Sequence, residues 1–520
     1  MTNLTPEQRA LGRENANRAL GSSRRDFLKA AAVAPAAGAF YFSYKELGDT
    51  PVRAAIIGTG NEGCGAMIHD HNRDYLNFIG YCDIRPSSQE RAVKEFSLHK
   101  QYGPADAKKL TAYKDKDAML ADKDVECVVI ALPLWLHAPV AIEAMKAGKH
   151  VFCEKLMAHS ISECKEMCRV ARETNKLLAI GHQRHYSVLY DNANYLVQNG
   201  ALGDIRHIRA LWHRNNARPR VAKDKDGKPK FDPATGLPEY VRDAQGNIVY
   251  VDSWKPDIPE LDKNVDYAKY GYQSLEELVR WRLYNRTGAG LMAELGSHQL
   301  DACSIFLGKR HPVAVSGVGG TFFYTDGREV DDHVFVTFEF PGKADKDHVV
   351  VTYSSINTNA FENYGEMIMG SSGTMIVEAE KEILLFKEAG NATLSRQTSV
   401  IVEKGAAGKP VLEASPSTAG PSAATALGGL STADPSRGYR EELEHFAYCI
   451  RHGDKKNYHD DKEHQPRCRG EVALADAVIA LTSNIAMRER RRIEFDDRWF
   501  DPTSPEVPEK ASSSGIARRS

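Results

Sequence analysis

At 520 residues the chain exceeds what one hydrophobic core usually serves, so two or more domains are expected, each able to fold without metal or disulfide staples. Lys and Arg number 68 against 70 Asp and Glu, a net charge of -2; this excludes the footprint of a nucleic-acid binder or basic membrane-surface protein and leaves a small-molecule partner as the default. The nine cysteines include no CxxC pair and no histidines at zinc spacing, and Cys164 and Cys168, four apart, read as packing residues on one helix face.

In chain order, Ser23-Arg24-Arg25-Asp26-Phe27-Leu28-Lys29 sets two arginines before a weakly apolar run at 30–42, which resembles a twin-arginine export signal. The run is too short to span a bilayer comfortably, so no stable transmembrane span is expected. Ala34-Pro35-Ala36 offers small residues inside the run, leaving a cleaved leader and a retained membrane tether both open. The expected route is export of the folded protein by the twin-arginine machinery, to the periplasm or an equivalent exterior, after folding in a reducing cytoplasm.

Val52-Arg53-Ala54-Ala55-Ile56-Ile57 is a buried-strand run that flows into Gly58-Thr59-Gly60-Asn61-Glu62-Gly63 and a helical stretch. That order is the context in which GxGxxG marks a Rossmann dinucleotide site: Gly58 for the tight turn, Gly60 for approach to the pyrophosphate, Gly63 for close helix packing, with the amides around Asn61 facing the phosphates. A second strand at 78–82 ends at Asp83, about 20 residues beyond the last glycine, where a carboxylate accepts from the adenosine ribose hydroxyls and favours NAD. Arg85 keeps NADP open, because a guanidinium there can hold a 2′-phosphate. A third strand, 125–133, ends at Pro133 and leads through His137 to a helix over 138–147 that stops at Gly148. His150-Val151-Phe152-Cys153 then delivers Glu154 and Lys155 to the carboxyl edge of the sheet, where such folds bind ligands.

Beyond Val313 apolar and polar residues alternate, as in Val334-Phe335-Val336-Thr337-Phe338-Glu339-Phe340, with turn signals at 325–327 and 371–373, which predicts an antiparallel sheet buried on one face. Residues 405–437, rich in Gly, Ala, Ser and Pro, read as a flexible surface loop. His459, Asp460, Asp461, His464 and Cys468 meet no ligand-spacing rule and read as a polar loop, so no metal is assigned.

The ordered set GTGNEG, LPLWLHAPVAIEAMKAGKHVFCEK and GAGLMAELGSHQLD resembles the Gfo/Idh/MocA family of glucose-fructose oxidoreductase and inositol dehydrogenase relatives, from about Val52 to the helical region near 472–488. Stretches 215–280 and 403–440 look like insertions. The resemblance implies an α/β fold: a Rossmann doubly wound parallel sheet at 51–180 after a signal and linker at 1–50, then an α+β substrate-binding and oligomerisation domain at 181–500 with a large, open, mostly antiparallel sheet, and a tail at 501–520. A homo-oligomer is implied, with another subunit covering the sheet's outer face.

The family's EKP motif stands here as Glu154-Lys155-Leu156, the proline missing, and implies that Lys155 bridges the reacting hydroxyl and the nicotinamide ribose. Pro133, His137 and Glu154 join the cofactor pocket by the same resemblance, His137 lining it without performing chemistry. In Glu294-Leu295-Gly296-Ser297-His298-Gln299-Leu300-Asp301, the resemblance makes His298 the general base, Glu294 the stand-in for a substrate-binding Asp, and Asp301 the partner that orients the base. The extra methylene of Glu294 leaves the substrate open. Arg184 is implied as a donor to substrate; Trp281, Arg282, His213 and Arg214 are weaker candidates, Trp281 reading equally as an aromatic beside a sugar ring or as core packing. The implied activity is hydride transfer between a CH–OH group of a sugar, cyclitol or related polyol and NAD(P). The alternatives are an NAD-dependent glycosidase or lyase that oxidises transiently and recycles its cofactor, and a non-catalytic dinucleotide sensor.

Overall fold

Val52–Ile57 (β1), Leu76–Cys82 (β2), Thr111–Ala112 (β3), Cys127–Ile130 (β4), His150–Glu154 (β5) and Leu178–Gly181 (β6) form one parallel sheet in the order β3-β2-β1-β4-β5-β6. Every residue of β4 and β5 is buried, as a run of Val, Ile and Cys must be when helices cover both faces of a parallel sheet. The strand order reverses between β1 and β4, and the crevice outside their carboxyl ends is where doubly wound sheets hold ligands. In this computed structural model, residues 4–31, 42, 44, 47, 48, 50–225, 227–344, 347–387, 400–404, 410–414 and 437–509 are described.

The helices are Pro6–Ala31 (α1), Pro86–Leu98 (α2), His137–Lys146 (α3), Ile161–Glu173 (α4), Val188–Gln198 (α5), Ser297–Phe306 (α6), Tyr439–His452 (α7) and Gly470–Glu489 (α8), with shorter turns between them. Local chemistry sets their ends. Ser160 and Glu163 form a reciprocal capping box at the start of α4, and Pro86 opens α2, where a missing amide hydrogen costs nothing. Although α7 lies far downstream, its Leu443, Phe446 and Ala447 pack with Ala54, Ile56 and Phe152 of the parallel sheet.

A second sheet is assembled from Ile205–His213 (β7), Ala314–Gly320 (β10), His333–Pro341 (β11), His348–Ile356 (β12), Tyr364–Gly370 (β13), Gly373–Glu378 (β14), Glu382–Lys387 (β15) and Ile493–Glu494 (β18). Its order is β15-β14-β13-β7-β12-β11-β10-β18, antiparallel except where β7 meets β12. Along β11 the even-numbered residues from Val334 to Phe340 are buried while their neighbours face outward, the predicted period of two. Helix α8 is long and apolar enough to cross a membrane, yet most of it is buried inside the fold as a core helix.

Three stretches depart from the sequence expectation or extend it. Strand β3 has two exposed residues and no apolar pattern to announce it. The 215–280 stretch carries a ribbon of Ala217–Pro219 (β8) and Tyr250–Asp252 (β9), then turns at Glu260–Asp262 and Ala268–Tyr270. Val400–Lys404 (β16) and Pro410–Ala414 (β17) pair, whereas most of the loop expected at 405–437, like most of the apolar run at 30–42, lies outside the described residues.

The leader is not simply a linker. In α1, Arg9 pairs with Glu378 and Glu382, Ala16 and Leu20 are buried, and Gly12 lies against Phe386 and Leu384 of β15.

Gly63 packs so closely that a Cβ there would lie 2.1 Å from the Gly58 carbonyl oxygen. Gly63→Ala should therefore cost about 1–3 kcal/mol of stability and weaken dinucleotide binding. Denaturant unfolding and titration calorimetry check this; an unchanged unfolding midpoint would show that the helix can retreat from the strand.

Candidate active site

The dinucleotide cleft begins where β1 ends. Gly58 has φ +92°, and a Cβ on it would meet the Ala131 oxygen at 2.3 Å, so only glycine makes this turn. At Gly60 a Cβ would meet nothing within 4 Å, which is the room a pyrophosphate needs beside the backbone. These glycines and the amides that follow fit a dinucleotide. Asn61 accepts from Arg91 through its side-chain oxygen. Asp83, just beyond β2, accepts from Thr59 N at 2.7 Å and Arg85 N at 2.8 Å, and its burial pushes its carboxyl above the usual range. Arg85 does not face open solvent there: its Nε donates to Asp262 at 2.9 Å.

Pro133 opens the turn Leu134–Leu136 that carries the chain from β4 into α3. His137 departs from expectation. Its ring nitrogens lie 2.8 Å from Leu156 O and 2.9 Å from Leu132 O, so it braces the backbone that follows Lys155 and has no nitrogen left for a ligand. Glu154 is buried, with one carboxyl oxygen near the Lys155 amide and the other unpartnered; burial first, then the charge of Glu62, pushes it up to about 8.

Lys155 reaches from the end of β5 to the other half of the molecule, where its Nζ donates to the Glu294 carbonyl oxygen at 2.7 Å. The Lys155–Leu156 peptide bond is cis. Glu294 lies in a π-turn, Met292–Gly296, that runs directly into α6, and the same turn places His298 one turn further on the same face. Arg282 Nε donates to the Glu294 carboxylate at 2.7 Å. Burial alone would raise Glu294, but Arg282 and Lys155 outweigh it and hold the carboxylate below its usual range. Burial drives Lys155 below the usual ammonium value, although Glu294 and Glu154 pull the other way.

His298 Nδ1 lies 3.1 Å from Gln183 Oε1. An amide oxygen only accepts, so Nδ1 carries the proton and Nε2 keeps its lone pair, the tautomer a general base requires. Burial, reinforced by the charges of Lys155 and Arg184, holds the imidazole neutral well below its usual titration range. The Trp212 ring stands 5.3 Å from the imidazole, and the Arg214 guanidinium lies 4.7 Å over that indole.

Thus Lys155 meets the Glu294 backbone one turn before His298, with Arg282 on the Glu294 carboxylate, whereas other residues singled out from the sequence are engaged elsewhere. Asp301 does not orient His298; buried, it takes His185 at 2.8 Å and Lys309 at 2.7 Å, and Gln183 holds the base instead. Arg184 presents nothing to a substrate, because it is buried with Nε and Nη2 on Glu380, at 3.2 and 3.1 Å, and Nη1 shared between Glu366 and the His298 carbonyl. Trp281 stands one residue removed, packed under the Arg282 guanidinium at 4.2 Å. His213 is fixed on the sheet by Ser354 and the Phe361 carbonyl.

Gln183 and Trp212 were missed. The first is adjacent to Arg184, but sequence does not tell which neighbour faces the base. His459 and His464 contact Ala171 O and Asp461. A different set, His182, Asp301 and Asp476, converges in the core, where the ammonium of Lys309 sits 2.7 Å from Asp301 and 3.6 Å from Asp476.

Both halves of the chain resemble known proteins. Residues 52–182 match the oxidoreductase family with an NAD-binding Rossmann fold, residues 265–376 the GFO/IDH/MocA C-terminal domain, and residues 21–40 the twin-arginine translocation signal. A glycosyl hydrolase family 109 protein of Shewanella amazonensis is 32% identical over 212 residues, 37% of this chain and 46% of the relative. An inositol 2-dehydrogenase of Salmonella paratyphi B is 29% identical over 159 residues, 29% of this chain and 43% of the relative. The chain thus spans less than half the length of either. Among solved structures, an inositol dehydrogenase homolog from Azotobacter vinelandii complexed with NAD+ superposes with TM-score 0.57 at 14% identity, covering 87% of this chain and 99% of its own, a likeness of fold.

Arg184→Ala should cost about 3–5 kcal/mol of folding stability, because two buried carboxyl groups lose the guanidinium they share. Urea unfolding checks it; a normal unfolding midpoint with lost substrate affinity would instead make Arg184 a ligand.

Proposed function

The chain belongs to the Gfo/Idh/MocA oxidoreductase family, and we propose that it oxidises a hydroxyl-bearing carbon of a sugar, cyclitol or related polyol with NAD as acceptor, after export by the twin-arginine route. The observation that carries this is the Lys155 ammonium on the Glu294 carbonyl, one helical turn before His298, where its charge acts on the imidazole.

NAD, when bound, accepts a hydride at its nicotinamide ring. The chain's residues handle the proton and the charge. His298 Nε2 takes the hydroxyl proton while Gln183 fixes the tautomer, and Lys155 stabilises the oxygen as negative charge develops on it. Glu294, locked by Arg282, accepts from a second hydroxyl and so orients the ring. Arg214 and Trp212 supply a cationic and an aromatic wall. Each charge acts in a buried site, where it is worth more than in water.

Two sets of measurements test the reading. Lys155→Ala and His298→Gln should each lower kcat by about 10²–10⁴-fold, with NAD still bound by both variants. Retained turnover in either variant would break the assignment. A screen of polyols should show net reduction of NAD; cleavage of a glycoside with no net change in the cofactor would instead favour the recycling chemistry to which the family 109 resemblance points.

The pH profile is a separate prediction. Because His298 is held neutral well below its ordinary value near 6.5, the base form should persist into acid, and kcat/KM for oxidation should stay flat through pH 6. On the alkaline side the lowered value of Lys155 should bring the decline in before 10.5. A half-maximal point at pH 6.5 would show a solvated imidazole.

A further inference from the structure

We propose that Asp262 is the specificity determinant of the dinucleotide site: its side chain fills the ground a 2′-phosphate would take and restricts the protein to a dinucleotide whose adenosine ribose carries a free 2′-hydroxyl. This rests on the reading that a dinucleotide lies over Gly58–Gly63, and it concerns one end of that cleft only.

Donors that a phosphate on this ribose would use stand just beyond Asp83, and Asp262 takes three of them. Asp262 receives Arg85 Nε at 2.9 Å, Ser87 N at 3.0 Å and Ser87 Oγ at 2.6 Å. Arg85 and Ser87 flank the first turn of α2, a 13-residue helix whose N-terminal amides form a natural anion site. A guanidinium, an amide and a hydroxyl converging there make a built anion cradle, and its occupant is a carboxylate from 175 residues away in sequence. Asp262 is fully buried at 0% exposure. An incoming 2′-phosphate would have to expel it or lie against a charge of its own sign, whereas a hydroxyl needs only Asp83.

The carboxylate is not free to swing aside. The turn Glu260–Asp262 that bears it continues into a segment anchored again at Trp135, on the turn after β4. Gly271, at φ +82°, approaches the Trp135 ring so closely that a Cβ would lie 3.0 Å from it; the Tyr272 ring packs edge-on at 5.3 Å, and the Arg286 guanidinium lies 4.8 Å over the same indole. One strap is thereby fastened at Arg85 and at Trp135, which follow β2 and β4 on opposite sides of β1. The second half of the chain thus reads the adenosine end of a ligand held by the first.

The test is equilibrium binding of NAD+ and of NADP+ to the purified full-length chain, freed of nucleotide, by titration calorimetry. The wild type should prefer NAD+ by about 100-fold or more, and Asp262→Ala should move the ratio toward NADP+ by about tenfold or more. Adding Arg85→Ala to Asp262→Ala should cancel the gain, because the freed guanidinium is what receives the phosphate. Asp262→Asn, nearly isosteric, should give an intermediate shift and serves if the alanine variant does not fold, with circular dichroism reporting folding. Equal wild-type affinity for the two dinucleotides, or an unmoved ratio in both Asp262 variants, overturns the proposal. If the wild type binds neither dinucleotide, the cofactor reading itself falls and this inference with it.

Discussion

The hydrogen bond from Lys155 to the Glu294 carbonyl joins the end of the parallel sheet to a turn from the other half of the chain. One end is the last step of a parallel strand; the other is a π-turn that has lost the regular helical ladder and so can offer its carbonyl. Without that junction the ammonium at the end of the parallel sheet would be separated from the turn that carries Glu294 and leads to His298. Proximity here also tunes chemistry, since the Lys155 charge helps to keep His298 unprotonated and Glu294 ionised.

Behind the catalytic face lies a second layer of charge that holds the first in place. Arg184, among the largest fully buried side chains, ties Glu366 and Glu380 together and also donates to the His298 carbonyl, while Tyr190 donates to Glu366 at 2.9 Å. Buried ions are costly unless every one is paired, so this network fixes α6 against the sheet in one arrangement. On the other side of α6, Lys309 between Asp301 and Asp476 performs the same duty.

How much of this the sequence discloses depends on whether a signal is local. The glycine turn, Asp83 at a strand end, Lys155 at the next edge and the four-residue spacing of Glu294 and His298 are all readable, because each follows from one short stretch and the period of its element. The roles of Asp301 and Arg184 were misread for a physical reason: spacing along a helix says which residues share a face, not whether that face meets a ligand or a buried counter-ion. Gln183, Trp212 and Asp262 became visible only when remote segments were brought together. The pairing of Asp262 with Ser87 crosses 175 residues, and no periodicity carries that information.

The docking of the leader gives the first helix a second physical role. Strand β15 is the outermost of its sheet, and an outer strand with apolar side chains invites pairing with a neighbouring molecule. Leu384 and Phe386 are instead shielded by Gly12 and its helix, clamped through Arg9. A peptidase that severed this address would also strip away a gasket, and the processed molecule would face its surroundings with an open seam.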